Sequence, residues 1–325
     1  MSFRNTMAAL AGCLASCIAL SGPASAETYP ARPVTMIVPY AAGGATDVVA
    51  RAVAEKLTGA WGQAVVVDNR AGAGTTIAAR TVAQAPADGY LLYMTTSAHT
   101  ISGHLYPGLT FDAVKDFAPI TLVTKVPLVL VVSPQVPASN MSEFLAWLAK
   151  EGDKVNYASP GIGTAQHLSA ELFKIATKSG ITHVPYKGDA PALTDLMGGQ
   201  VQMMLATATA VIPLIESGKV KAIAVAHNRR ISALPQVPTF AEAGVKDFEA
   251  ATWFGLLAPA KIKPELVEKI YTDVSKIVAE PDMRRRIEQL GGDVVNSTPA
   301  EFARFMQEES GKWAAAVKAS GASLK

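Results

Sequence analysis

The sequence predicts a two-lobed α/β fold with mostly parallel sheets, helices on both faces and a ligand cleft between the lobes. Three features favour it: apolar runs alternate with helical patterns, the runs are continuously apolar, and one strand–loop–helix unit occurs twice. Alternation of strands and helices is typical of parallel sheets, and continuous apolarity is typical of strands buried on both faces. With 325 residues, half of them hydrophobic, the chain is long enough for two cores.

Nine apolar runs predict strands, and the segments between them predict helices. The strands are Val34–Val38, Ala64–Val67, Tyr90–Thr95, Leu128–Val132, Val155–Ala158, Thr182–Val184, Val201–Leu205, Val220–Val225 and Phe254–Ala258. The helices include Asp47–Leu57, Thr75–Ala83, Met141–Ala149 and Ala165–Ala176. Two more are expected at the C-terminus: one begins at Pro264, and one begins at a capping box formed by Thr298 and Glu301. We expect these last helices to pack on the N-terminal sheet.

The repeated unit contains two glycine-rich loops. The first loop (Tyr40–Asp47) reads YAAGGATD, the second loop (Ser159–Thr164) reads SPGIGT, and each lies between a strand and a helix. Glycines let a ligand approach the backbone, and a helix N-terminus attracts an anion. Because ligands bind outside the carboxyl ends of strands in open α/β sheets, the two loops are predicted to face each other. An ordinary turn with Thr46 or Asp47 as the helix cap is the alternative for the first loop.

Two stiff apolar stretches, Val126–Pro134 and Thr252–Pro259, are predicted to connect the lobes. On this interpretation lobe 1 comprises residues 27–127 and 252–325, and lobe 2 comprises residues 128–251. Closure of the lobes is then a hinge motion.

The N-terminus has the pattern of a secretory signal peptide. Arg4 precedes the apolar stretch Met7–Leu20, and Ala24–Ala26 offers small residues for cleavage. We expect residues 1–26 to be removed and the chain to be exported. Cys13 and Cys17 resemble lipoprotein cleavage sites, but apolar residues continue past both, so no lipid anchor is expected.

Composition excludes several function classes. Removal of residues 1–26 leaves no Cys, which excludes disulfides, a thiol nucleophile and a cysteine metal site. A net charge of +2 is too small for a nucleic-acid-binding surface, and Arg284–Arg286 is interpreted as a solvated helix face.

Cofactor, metal and nucleophile patterns are all incomplete. Gly43, Gly44 and Asp68 partly match a dinucleotide site, but G-x-G-x-x-G is absent at residues 43–48, and the GAGTTI motif that begins at Gly72 lacks the third glycine. His167 and Glu171 share a helix face without a third metal ligand, and no G-x-S-x-G occurs. We therefore expect no cofactor, no metal and no enzymatic activity.

Asp189 has two interpretations from the sequence. It precedes Ala190 and Pro191, a pattern typical of a residue that caps a helix. Alternatively it faces the cleft and accepts a hydrogen bond from a ligand amine or hydroxyl, in which case it would repel a ligand that carries only carboxylates.

The ordered motifs resemble those of the Bug family, the periplasmic solute-binding proteins of tripartite tricarboxylate transporters. They are YPARPVTMIVPYAAGGATD, VVVDNRAGAGTTIAA, PADGYLL, YASPGIGTAQHLSAELF, HVPYKGDAPALTDLMGGQV, PQVPTFAEAG and TWFGLLAPA, and they cover nearly the whole chain from Tyr29. The resemblance implies a Venus-flytrap fold that binds a small carboxylate: a dicarboxylate, tricarboxylate, amino acid or aromatic acid. It implies delivery of that ligand to membrane transporter subunits by a monomeric protein. A ligand-sensing subunit for a signalling receptor is the alternative.

The resemblance also implies which residues hold the ligand, mainly through amides, hydroxyls and water. The first loop supplies Tyr40, Ala41, Thr46 and Asp47, and the second loop with the residue after it supplies Ser159, Gly163, Thr164 and Ala165. Ser97, Asp189 and Thr207 are expected on the remaining wall, the last within the variable stretch Met204–Pro213.

Overall fold

The computed structural model describes residues 29–321, so the predicted signal peptide at residues 1–26 lies outside the described residues. Residues 29–31 belong to an N-terminal unit that ends at Ala31, and Arg32–Lys325 form the second unit. In the second unit the strands follow the order β2-β1-β3-β9-β4-β7-β5-β6 in one continuous sheet, with β8 and β10 paired to β4.

The strand bounds define two halves of this sheet. The first half contains β1 (Val34–Val38), β2 (Val65–Asn69), β3 (Leu91–Thr96), β9 (Ala251–Pro259), β10 (Asp293–Val294) and residues 117–127 of β4 (Phe117–Val132). The second half contains residues 128–132 of β4 with β5 (Asn156–Ser159), β6 (Thr182–Pro185), β7 (Met203–Thr207) and β8 (Lys221–Val225). One 16-residue strand, β4, therefore runs through both halves.

Helices cover the faces of both halves. Within residues 29–321 the α-helices are α1 (Ala45–Trp61), α2 (Thr76–Ala83), α3 (Ala98–Leu105), α4 (Met141–Glu151), α5 (Ala165–Thr177), α6 (Asp189–Met197), α7 (Ala208–Glu216), α8 (Pro264–Ala279), α9 (Pro281–Gln289) and α10 (Pro299–Ser320).

The predicted C-terminal helices are confirmed. Helix α8 begins at Pro264, and the Thr298 side chain caps α10 while Glu301 completes the capping box. Phe302 of α10 packs edge-to-face on Trp253 of β9, with ring centroids 5.5 Å apart. Helix α10 therefore packs on the first half of the sheet, as predicted.

The sheet is mixed rather than purely parallel, which refines the predicted fold class. Strand β1 pairs in parallel with β2 and β3, and β5 pairs in parallel with β6 and β7. The pairs made by β4 and β9 are antiparallel. Parallel strands are therefore found in the βαβ units of each half, and antiparallel strands where the chain passes between the halves.

Strand β4 is longer than the predicted Leu128–Val132 because it begins at Phe117. Pro119 and Pro127 lie in the added part, and prolines argue against a strand in sequence reasoning. A register shift follows Pro119, between Pro119 and Thr121, and a second lies between Leu122 and Thr124, whereas Pro127 pairs with Ala251 in register.

The second passage between the halves lies one residue before β9. Ala250 donates to Ala226 O, and Ala250 O accepts from Leu128 N–H. Among the strands within residues 29–321, β9 pairs with β3 and β4 in the first half, so the stretch Thr252–Pro259 follows the crossing rather than making it. The limits of the two lobes stay a prediction.

Candidate functional site

Each of the two loops makes a hydrogen bond to the opposite half of the sheet. Ala41 N–H donates to Lys187 O at 3.1 Å, and the Tyr106 hydroxyl donates to Ile162 O at 3.4 Å. Each bond joins one half to the other, so the structure is in a closed arrangement. Both loops follow the carboxyl ends of parallel strands, β1 and β5.

A pocket of about 280 Å³ lies between the halves at this point. Its walls are Pro39 and Tyr40, Gly72–Thr75, Tyr106, Pro160–Ile162 and Pro185–Lys187. Tyr40 is the predicted contact residue that lines it directly. The segment Gly72–Thr75 was not among the predicted contacts, although its two glycines stood in the GAGT motif.

The first loop presents the N-terminus of α1. Gly44 is the N-cap, and Val48 N–H makes the first helical bond to Gly44 O. The amides of Ala45, Thr46 and Asp47 therefore precede the helical hydrogen-bond ladder and carry its positive end.

Asp47 fixes the shape of the first loop. Its Oδ2 accepts from Gly43 N–H at 3.0 Å and Arg51 Nε at 2.8 Å, and its Oδ1 accepts from Asn69 Nδ2 at 2.9 Å. Burial raises the pKa of Asp47. The hydrogen bonds from Arg51, Gly43 and Asn69 lower it by more, so the pKa lies below its ordinary value. The carboxylate is thus ionised and fully partnered, and its contact with ligand stays a prediction.

The second loop is closed by its own side chains. Thr164 caps α5, because its hydroxyl accepts from His167 N–H at 3.2 Å and donates to Gly161 O at 2.8 Å. Ser159 Oγ accepts from Gly161 N–H at 3.2 Å and lies 2.6 Å from His183 Nε2. Gly163 N–H donates to His167 Nδ1 at 3.3 Å, so these contacts together fix the backbone that leads into α5.

Two histidines support this loop from behind. The His167 and His183 rings stack at 4.1 Å, and His183 stacks on Tyr157 at 4.8 Å. Burial lowers the pKa of His167 to about 4 and that of His183 to about 3, so both are neutral at pH 7. Among residues 29–321, no three His, Cys, Asp or Glu side chains are grouped to hold a metal ion.

Three further hydroxyls at the gap are held by neighbouring side chains. Tyr40 Oη lies 3.0 Å from Thr96 Oγ1, and buried Ser97 Oγ lies 3.0 Å from Thr252 Oγ1. Thr207 Oγ1 accepts from Gln166 Nε2 at 2.9 Å. The roles of Tyr40, Ser97 and Thr207 as ligand contacts stay predictions.

Asp189 does not cap α6. The N-cap is Gly188, and no side chain caps that position. Asp189 Oδ2 instead accepts from Ala45 N–H of α1 at 3.4 Å, while its buried Oδ1 has no hydrogen-bond partner in the described part of the chain. Burial raises the pKa of Asp189 to about 6, and the Ala45 N–H offsets this only in part.

Three more buried hydroxyls, which sequence reasoning missed, lie together beside the pocket. Thr75, Tyr93 and Thr95 are each at most 1 % exposed. Burial raises the pKa of Tyr93, and its neighbours Thr95 and Thr75 offset this only in part. None of the three hydroxyls makes a well-formed hydrogen bond within residues 29–321. Thr75 also has a left-handed backbone (φ 80°), a strained state for a β-branched residue.

Comparison with known families and proteins identifies this arrangement. Residues 49–322 match the model of the tripartite tricarboxylate transporter family receptor. Protein BugT of Bordetella pertussis (strain Tohama I) is 35 % identical over 319 residues, which cover 98 % of this chain and 98 % of that protein.

Solved structures show the same fold. Periplasmic binding protein BugD has a TM-score of 0.88 and 36 % identity over 91 % of this chain and 100 % of its own. Rpa4515 of R. palustris with adipate has a TM-score of 0.88 and 34 % identity over 90 % of this chain and 98 % of its own. MatC of Rhodopseudomonas palustris with bound malate has a TM-score of 0.84 and 35 % identity over 89 % of this chain and 100 % of its own.

The predicted two-lobed periplasmic binding fold is therefore confirmed. In the described residues no helix is both long and apolar enough to cross a membrane. The family consists of solute-binding receptors rather than enzymes. The chain belongs to the tripartite tricarboxylate transporter receptor family, the Bug family of periplasmic solute-binding proteins.

Proposed function

We propose that this protein captures a small organic carboxylate between its two halves and delivers it to a tripartite tricarboxylate-type membrane transporter. The observation that carries the proposal is one pocket between the halves, lined by Tyr40 of the first loop and Pro160–Ile162 of the second, with a helix N-terminus after each loop. Two relatives of the same fold hold adipate and malate, which are small carboxylates.

The ligand carboxylate is held by amides at the helix N-termini. Each N-terminus favours a nearby anion by roughly 0.3–2 kcal/mol. Neutral donors avoid the desolvation cost of a buried ion pair, so the complex can still release its cargo. The contact residues in this proposal are Tyr40, Ala41, Thr46, Asp47, Ser97, Ser159, Gly163, Thr164, Ala165, Asp189 and Thr207.

The hydroxyls of Thr75, Tyr93 and Thr95 are added to this site. Buried hydroxyls without partners are costly, and a polar ligand group or bridging water offsets that cost. They lie on the first half, beside the pocket wall formed by Gly72–Thr75.

Binding and closure are coupled. A ligand that touches both loops makes more contacts when the halves meet, so it shifts the population toward the closed form. We propose that lobe 1 (residues 27–127 and 252–325) and lobe 2 (residues 128–251) move about residues 127–128 and 250–251, where the chain passes between the halves.

The protein acts in the periplasm as a monomer after removal of residues 1–26. The proposed route is export through the signal peptide, without a lipid anchor. Mass determination of the protein recovered from the periplasm tests the cleavage after Ala26 and detects any acyl chain.

Thermal-shift screening of residues 27–325 against organic acids and amino acids tests the binding function. A ligand at 100 times its Kd stabilises the folded state by about 2.7 kcal/mol. No stabilisation by any small carboxylate would contradict the proposal. Delivery is tested by gene deletion, which is expected to abolish uptake of the identified acid. Intact uptake together with a ligand-dependent complex with a sensor domain would favour the signalling role instead.

A further inference from the structure

The Asp189 carboxylate lies between the two halves without a positive partner. The residue is 7 % exposed, its Oδ2 has one long bond from Ala45 N–H, and its Oδ1 has no hydrogen-bond partner among residues 29–321. Within the same range no Lys, Arg or His forms an ion pair with it. A buried carboxylate of this kind is expensive unless a donor completes it.

Asp47 provides an internal comparison for this carboxylate. It also lies in the first turn of a helix at the gap and is 3 % exposed. Both of its oxygens are hydrogen-bonded, by Gly43, Arg51 and Asn69. Both Asp47 oxygens therefore have protein partners, whereas Asp189 keeps one buried oxygen without a partner among residues 29–321.

Asp189 lies beside the first loop, two residues after Lys187, which lines the pocket. A Cβ atom on Gly44, the N-cap of α1, would lie 3.7 Å from Asp189 Cβ. A Cβ atom on the preceding Gly188 would lie 3.2 Å from Ala41 N and 3.5 Å from Tyr40 Cβ. Asp189 thus lies against the first loop, where its charge counters the attraction of the α1 N-terminus for a second anion.

We propose that the ligand is an amino carboxylate, whose ammonium group donates to Asp189 Oδ1 while its carboxylate is held at the N-terminus of α5. This rests on the proposed function and narrows its ligand class. An ammonium group neutralises the buried carboxylate and completes its hydrogen bonds, whereas a plain dicarboxylate places a like charge beside it. A hydroxy acid donates one hydrogen bond without neutralising the charge and ranks between the two.

Calorimetric titration with matched ligand pairs at pH 8 tests this. Each pair joins an amino acid to the same acid without the amino group: aspartate and succinate, glutamate and glutarate, and phenylalanine and 3-phenylpropanoate. Malate serves as the hydroxyl member of the first series. In the pair that fits the pocket, we expect the amino acid to bind at least tenfold more tightly than its partner.

Asp189→Asn is expected to reduce that preference to less than threefold, and Asp189→Ser serves as a second variant if the first folds poorly. Asp88→Asn, which alters an exposed ion pair with Arg32, is the control and keeps the full preference. A plain acid that binds as tightly as its amino partner, or an Asp189→Asn variant that keeps a tenfold preference, overturns this inference alone. Failure of every acid and amino acid to bind the unsubstituted protein overturns the proposed function as well.

Discussion

Asp189 Oδ2 accepts a hydrogen bond from the backbone N–H of Ala45 at 3.4 Å, and this contact joins residues 144 positions apart. It links the N-terminus of α1 on the first half to that of α6 on the second. Asp189 therefore contributes to the contact between the halves, while its Oδ1 has no hydrogen-bond partner among residues 29–321. Burial of this carboxylate lowers the stability of the ligand-free protein, and in our proposal it selects a ligand with an ammonium group.

Asp189→Asn is expected to stabilise the ligand-free protein at pH 7.5. Burial raises the pKa of this carboxyl from 3.8 to about 6, so the folded state binds more protons than the unfolded state between these values. The contribution of this group to stability therefore falls as the pH rises from about 4 to 6. Two pKa units correspond to about 3 kcal/mol, an upper value for the gain in unfolding free energy at pH 7.5.

Urea unfolding of both proteins at pH 7.5 and pH 4 measures this gain. The difference between them is expected to shrink at pH 4, where Asp189 is mostly protonated in the folded protein. An equal difference at the two pH values would mean that ionisation of Asp189 does not limit stability.

Gly74→Ala is expected to prevent full closure. A Cβ atom at Gly74 would lie 2.6 Å from Ile162 O on the second loop and also overlaps the Tyr106 hydroxyl. We expect ligand affinity to fall at least tenfold, equivalent to about 1.4 kcal/mol. Gly62→Ala is the matched control, because its φ of 63° is similar to 55° at Gly74 and a Cβ there meets nothing within 4 Å. Equal affinity of the two variants would argue against contact between Gly74 and the second loop in the bound state.

Thr164→Val is expected to weaken both the second loop and ligand binding. It removes the cap of α5 and the bond to Gly161 O, which costs about 0.5–2 kcal/mol of stability. Displacement of the loop amides adds a loss of affinity. Thr164→Ser keeps the hydroxyl and is expected to behave like the original protein in urea unfolding and calorimetry. Unchanged stability and affinity of Thr164→Val would contradict a role of the second loop in ligand binding.

Thr75→Val and Thr95→Val separate ligand contact from structural support. Their hydroxyls lack well-formed hydrogen bonds within the described residues, so their removal is expected to leave stability unchanged or higher. Affinity is expected to fall by about 1–3 kcal/mol if a ligand group completes them. Thr121→Val is the contrasting control, because its hydroxyl donates to Ser297 O at 2.7 Å and its loss destabilises the fold without touching the site. Unchanged affinity in both Thr75→Val and Thr95→Val would contradict the assignment of these hydroxyls to the ligand site.

Local signals explain what the sequence could predict. Both glycine loops, the capping box at Thr298 and most strands depend on residues close together in the chain. The start of β4 was missed because Pro119 and Pro127 interrupt its pattern, and its pairing with β9 depends on residues more than 100 positions away. Thr75, Tyr93 and Thr95 were missed because their open hydroxyls become evident only when buried side chains surround them.

Asp189 shows the same limit in a single residue. The sequence could not decide whether Asp189 caps a helix or contacts the ligand, because its partner Ala45 lies 144 positions away, on α1 of the first half. Thr164 has a second role beside the expected ligand contact, because its hydroxyl caps α5 and holds the backbone of the second loop.

The most direct test of the central claim is a crystal structure of residues 27–325 with the acid that binds most tightly in the thermal-shift screen. The account predicts the ligand between the first and second loops, with a carboxylate oxygen about 2.7–3.2 Å from backbone nitrogens at the N-terminus of α5. A ligand bound elsewhere, or one held between the loops by ion pairs without these amides, would contradict it.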